Sequence, residues 1–190
     1  MNTLIISTLA VAIAEIGDKT QLLALVLAAR FRRPWAVVAG ILVATLLNHA
    51  LAGWVGAWVA ESIGPQWLRW LLVASFLAVA IWTLVPDTLD DERPPVSARS
   101  AFIATTLAFF IVEMGDKTQV ATVVLAATYD PLWQVVAGST LGMLLANAPV
   151  VLLGQHFAPR LPLRYIRWAA AALFATLAAW IAWQGLPAHG

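Results

Sequence analysis

The sequence predicts an all-α membrane protein: six transmembrane helices arranged as two inverted three-helix repeats. Three observations carry that prediction. The first is composition: 62% of the 190 residues are hydrophobic and 11% are charged, with a mean hydropathy of +0.84. A soluble domain is nearer half apolar and a quarter charged. The second is a repeat: Glu15-Ile16-Gly17-Asp18-Lys19-Thr20-Gln21 returns as Glu113-Met114-Gly115-Asp116-Lys117-Thr118-Gln119, each copy inside a long apolar run. The third is parity. The chain has room for three spans before the second copy, so that copy enters the membrane in the opposite sense.

Taken in order, the spans are expected near residues 3–29, 35–60, 67–85, 101–127, 132–156 and 164–184. Arg30-Phe31-Arg32-Arg33-Pro34, Glu61-Ser62-Ile63-Gly64-Pro65, the polar stretch 86–100, Tyr129-Asp130-Pro131 and residues 159–164 supply the breaks. Trp35, Trp67, Trp70, Trp133, Trp168, Trp180 and Trp183 fall near span ends, as an interfacial aromatic belt requires. The first span has small-residue triplets resembling a signal-peptide cleavage site, Ala10-Val11-Ala12 and Ala12-Ile13-Ala14. No Lys or Arg precedes it, however, and 101–128 matches it internally, so it reads as a true span.

The repeat extends well beyond the motif. An offset of 98 residues maps Glu15 onto Glu113, Trp35 through Gly40 onto Trp133 through Gly138, Gly56 onto Gly154, Arg69-Trp70 onto Arg167-Trp168, Phe76 onto Phe174 and Trp82 onto Trp180. The expected organisation is therefore a first three-helix repeat over 1–86, an acidic linker over 87–100 (Asp87, Asp90, Asp91, Glu92) and a second repeat over 101–190. Arg30, Arg32, Arg33, Arg93, Arg99, Arg160, Arg164 and Arg167 fall in loops on one side, against Arg69 on the other. The positive-inside rule makes those loops cytoplasmic, the linker included, and puts both termini outside.

Each motif carries two carboxylates and an ammonium among Ala, Val, Ile and Leu. Such a charge at mid-bilayer costs about 2.5–3.5 kcal/mol, so six of them unpartnered would cost roughly 15–20 kcal/mol. Glu15 lies ~18 Å along its span at about 1.5 Å per residue, near the middle of a ~30 Å hydrocarbon core. Glu113 sits at the equivalent depth of a helix running the other way, and the two copies are expected to meet in one polar site. On an unbroken helix Glu15, Asp18 and Lys19 share a face and Thr20 falls on the far side. Loosening at Gly17 and Gly115 would instead turn Thr20, Thr118 and main-chain carbonyls inward.

Two apposed motifs sum to a charge of −2, which one divalent cation or two protons neutralise. Carboxylates held together in low dielectric repel, so metal and protons compete for the same oxygens. The donors are Glu15, Asp18, Glu113 and Asp116, supported by Lys19, Thr20, Gln21, Lys117, Thr118 and Gln119. Oxygen ligands of this kind suit Mn²⁺, Ca²⁺ and, third, the reluctantly dehydrating Mg²⁺. The alternative is a pair of buried salt bridges that fixes helix packing. Asn48, His49 and Asn147 lie mid-span, with His49 matching Asn147 at the 98 offset; they either face the site or make interhelical hydrogen bonds. Gly138-Ser139-Thr140-Leu141-Gly142, echoed by Gly40 and Ala44, reads as close helix packing. The absence of Cys excludes disulfides and thiolate metal sites, and the net charge of +1 gives no sign of a nucleic-acid partner.

Glu-x-Gly-Asp-Lys-Thr, twice, in a six-span inverted repeat resembles the membrane family of manganese/calcium cation–proton exchangers of Golgi, chloroplast and bacteria, within the calcium/cation antiporter group. The resemblance covers nearly the whole chain. It implies a proton-coupled antiporter, not an enzyme, with no cofactor and no catalytic residue, from a family that handles Mn²⁺ and Ca²⁺ and whose bacterial members resemble manganese exporters. It also implies that Glu15, Asp18, Glu113 and Asp116 bind the ion. The short linker and the lack of any stretch before the first span favour a bacterial plasma-membrane location. Two rivals remain at this level: an exporter of a small organic cation or amino acid, which needs an aromatic lining, and a non-transporting membrane scaffold. Oligomeric state is not legible.

Overall fold

In the computed structural model, residues 2–84, 101–153 and 163–184 are described. They form eight α-helices and, among the described residues, no strand: α1 (Thr3–Glu15), α2 (Lys19–Phe31), α3 (Pro34–Ser62), α4 (Pro65–Thr83), α5 (Ala101–Glu113), α6 (Lys117–Thr128), α7 (Leu132–Leu153) and α8 (Leu163–Gln184). The linker expected over 87–100 lies outside the described residues.

Four of the expected spans appear as single helices, α3, α4, α7 and α8. The first and fourth do not: each is cut in two inside the motif, α1 from α2 and α5 from α6. The cause is local. Gly17 and Gly115 take positive φ, 84° and 76°, a conformation in which a side chain meets the following carbonyl. The other ends follow ordinary rules. Asn2 caps α1 through the Leu4 N–H, Pro34 and Pro65 open α3 and α4, and Arg32 closes α2 in the left-handed region with its N–H on the Ala28 carbonyl.

By length and composition α3 (29 residues) and α7 (22 residues) are apolar enough to cross a bilayer unaided. These two helices form the centre. α7 lies along α1, and α3 along α5. Glycines set both approaches: a Cβ on Gly138 would come within 2.5 Å of the Leu4 carbonyl oxygen and 2.9 Å of the Ser7 Cβ. A Cβ on Gly40 would come within 2.8 Å of the Phe102 oxygen and 2.7 Å of the Thr105 Cβ. Leu4 and Phe102, Ser7 and Thr105, and the two glycines are all partners at the 98 offset, so one contact is built twice. The small-residue stripe is helix packing, as its spacing suggested.

Direction follows from the same contacts. Farther along α7, Gly142 meets Thr8 and Ala12, and farther along α3, Asn48 reaches the Phe110 carbonyl at 3.2 Å. Thus α7 runs parallel to α1, and α3 parallel to α5. α3 also packs against α6, where Gly56 meets Val123 and Ala126. Two apolar clusters flank this centre. One joins α4, α6 and α8 around Phe76, Leu125, Phe174 and Ile181; the other joins α2, α3 and α5 around Leu27, Ile41 and Phe109. Phe76 and Phe174, again 98 apart, stack with centroids 6.3 Å apart.

Candidate cation site at the two broken helices

Breaking a helix exposes the carbonyls of one end and the N–H groups of the next. The motif satisfies these locally. Gly17 N–H donates to the Gln21 side-chain oxygen at 2.8 Å, and Gly115 N–H to that of Gln119 at 2.6 Å. The last letter of the motif therefore closes the break that its glycine opens. The Gln21 amide also donates to the Ala146 carbonyl of α7 at 2.8 Å, which ties the first break to the second repeat.

With the turn closed this way, the acids do not lie along one helix face. Glu15 ends α1, whereas Asp18 is the residue that precedes α2 and Lys19 starts it. The alternative of a loosened turn is the one adopted: Thr20, placed on the far side of an unbroken helix, donates to Glu15 Oε2 at 2.5 Å. The lysines reach across to the other copy. Lys19 Nζ is 3.0 Å from Asp116 Oδ1, and Lys117 Nζ is 2.9 Å from Asp18 Oδ1. These reciprocal ion pairs bring the two motifs into one cluster.

Glu15, Asp18, Glu113 and Asp116 are all buried. Oxygens of Glu15, Asp18 and Asp116 lie within 4.8 Å of one another. A hard cation holds oxygens at about 2.2–2.5 Å, which sets opposite ligands roughly 4.4–5 Å apart, so these three fit around one ion. Glu113 is outside that trio. It feels the charges of Glu15, Asp116 and Asp18 and faces the Asn48 amide, while Glu15 likewise faces Thr118. Several buried oxygens have no hydrogen-bond partner among the described residues: Glu15 Oε1, both of Glu113, Asp116 Oδ2, Thr118 Oγ1 and Asn48 Oδ1. Orphaned acceptors deep in a protein are costly, and a bound cation or proton would satisfy them. Four carboxylates against two ammoniums leave a formal −2.

The mid-span polar residues divide. Asn48 joins the site. Asn147 turns its amide to its own helix, onto the Met143 carbonyl at 3.1 Å, and His49 is buried with neither ring nitrogen hydrogen-bonded among the described residues. Sequence reasoning passed over Ser7 and Thr105, which are buried eight residues before Glu15 and Glu113. Their signal was available, since a hydroxyl recurs at the 98 offset.

The family model described as the divalent cation/proton antiporter GDT1 matches the chain twice, over residues 3–91 and 101–189. The chain belongs to the GDT1 family. A protein of Vibrio cholerae named as a candidate manganese exporter is 54% identical over 179 residues, covering 94% of this chain and 89% of the relative. A GDT1-like protein of Synechocystis is 26% identical, covering 80% and 83%, and GDT1-like protein 5 of Arabidopsis thaliana is 28% identical, covering 85% and 87%. No solved structure matches. The GDT1 family is one of divalent cation/proton antiporters, which are membrane transporters and not enzymes.

Proposed function

We propose that this chain exports Mn²⁺ from the cytoplasm of a bacterial cell in exchange for protons, with Glu15, Asp18, Glu113 and Asp116 as the ion-binding residues. The observation that carries the proposal is the crossing of the two motifs through Lys19–Asp116 and Lys117–Asp18, which gathers both acidic clusters into one buried site. The manganese relative at 54% identity supplies the cation, and the all-oxygen donor set accepts it; Ca²⁺ has the same requirement for oxygen ligands.

The architecture we infer is six spans in two inverted repeats, 1–86 and 101–190. Parallel packing of α1 with α7 and of α5 with α3 is what an exchange of central helices between oppositely inserted halves would give. By the positive-inside rule, Arg30, Arg32 and Arg33 support a cytoplasmic position for their loop, with both termini outside. Occupation by the metal and occupation by protons exclude each other, because each neutralises the same carboxylates. That exclusion couples the two fluxes. Thr20, Thr118 and Asn48 orient the carboxylates, Gln21 and Gln119 fix the turns at the two breaks, and the lysines keep the four acids together.

An organic-cation carrier would line its cavity with aromatic rings. Here every one of the ten tryptophans is at least 39% exposed, whereas the four acids are buried. The test is transport in proteoliposomes carrying a metal-sensitive and a pH-sensitive dye. The expected result is Mn²⁺ flux matched by opposing proton flux, reduced at least about tenfold, or ~1.4 kcal/mol, in Glu15→Gln and in Glu113→Gln. Metal movement without proton movement would refute exchange, and full activity in both variants would refute the site.

A further inference from the structure

Among the described residues, the seating of one helix pair departs from the internal symmetry of the molecule. Most helix contacts recur at the 98-residue offset: α1–α7 with α5–α3, α2–α5 with α6–α1, and Lys19–Asp116 with Lys117–Asp18. The α4–α8 pair is symmetric within itself about the Phe76–Phe174 stack, and Arg69 of α4 ties it further by donating to the Ala182 carbonyl of α8. Its seating is not symmetric. α8 rests on α1 and α4 rests on α6, whereas among the described residues the equivalent packings of α4 on α5 and α8 on α2 are slight or absent.

Equivalent residues consequently meet different surroundings. Val124 on α6 is 4% exposed and its counterpart Val26 on α2 is 57% exposed. Ala127 is buried where Ala29 is exposed, and Met114 is exposed where Ile16 is half-buried. The asymmetry reaches the ion pairs: the Lys117 side chain is 4% exposed and that of Lys19 is 24% exposed. Lipid covers an apolar face readily, so Val26 and Ile111 lying open would say nothing by themselves. What identifies an occupant is that the equivalent surface of the other repeat is already filled by α4 and α8.

We propose that the α4–α8 pair is the moving unit of the exchange cycle. It leaves its seat on α1 and α6 and takes the equivalent seat, α4 on α5 and α8 on α2. The move buries Lys19–Asp116 and uncovers Lys117–Asp18, so each ion pair in turn lies on the sealed side of the site. The two seats are built from near-identical sequence, which makes two packings of similar stability available to one chain. This inference rests on the transport reading above and adds the identity of the part that moves.

The chain contains no cysteine, so introduced thiols stand alone. Leu71→Cys with Val120→Cys reports α4 against α6; Leu22→Cys with Ala169→Cys is the same pair 98 residues displaced, reporting α8 against α2. All four positions are exposed, so the core is untouched. Cross-linking yield with a bifunctional maleimide is compared in proteoliposomes at neutral pH with Mn²⁺ and at acid pH without it. The expected outcome is a yield ratio between the pairs that inverts between the two conditions, with linkage of either pair reducing Mn²⁺–proton exchange more than tenfold. A ratio that is the same in both conditions, whichever pair links, or linked protein that exchanges at the full rate, overturns the proposal. If the unsubstituted chain shows no exchange at all, the transport reading fails instead, whereas exchange with a fixed ratio removes this inference alone.

Discussion

At the residue scale, the two ion pairs have the same chemistry and unequal surroundings, and that inequality predicts unequal consequences. Asp18 and Lys117 are shut away from solvent, whereas Lys19 keeps about a quarter of its side-chain surface open. Removing one partner of a buried pair leaves an uncompensated charge, typically about 3–5 kcal/mol; a pair with access to solvent relaxes more cheaply, nearer ~1 kcal/mol. Asp18→Asn, which strands the buried Lys117, should therefore lower the melting temperature in detergent, measured without divalent cation, more than Asp116→Asn, which strands the partly open Lys19. Equal shifts would mean that the two halves are equally sealed. The charged letters of this site were legible in the sequence because no apolar span carries such groups idly. Which oxygen each one meets was not, since Thr20 reaches Glu15 only once Gly17 has turned the chain.

At the element scale, the breaks and the glycine contacts decide the geometry. Helix positions could be read from the apolar runs and the Pro and Arg punctuation. The division of the first and fourth spans could not, because a lone glycine inside an apolar run is compatible with a continuous helix. Two substitutions separate these roles. Gly17→Ala asks a side chain to occupy the left-handed region, at about 1–2 kcal/mol, and should weaken metal exchange by disturbing the Glu15–Asp18 spacing. Gly138→Val drives side-chain atoms into the Leu4 carbonyl and Ser7, where overpacking costs roughly 1–3 kcal/mol, and should loosen α7 from α1. Gly64→Ala is the control, with nothing within 4 Å of the added atom. Melting and transport measured together should show Gly138→Val losing stability, Gly17→Ala losing chiefly transport, and Gly64→Ala changing neither.

At the scale of the whole molecule, the 98-residue repeat is legible in the sequence because both copies keep the same small, aromatic and acidic positions. The uneven seating of α4 and α8 was invisible for the same reason: a repeat in sequence says that two environments are possible, not which one is filled. Coupling belongs to this scale too. Four acids and two lysines in one buried cluster carry a formal −2, and a doubly charged cation or two protons restore neutrality. Both ligands at once would leave the cluster at +2, an arrangement that desolvation opposes. Protons on the side from which Mn²⁺ is taken up should therefore inhibit by competition, raising the KM for Mn²⁺ with little change in the maximal rate. Protons on the opposite side should accelerate export, because they displace the metal and carry the site back. Initial Mn²⁺ rates in proteoliposomes, with pH varied on one face at a time, distinguish these effects. If acid on the metal-loading face lowered the maximal rate and left KM unchanged, protons and metal would not share a site, and the cluster would be holding the helices together instead of exchanging ions.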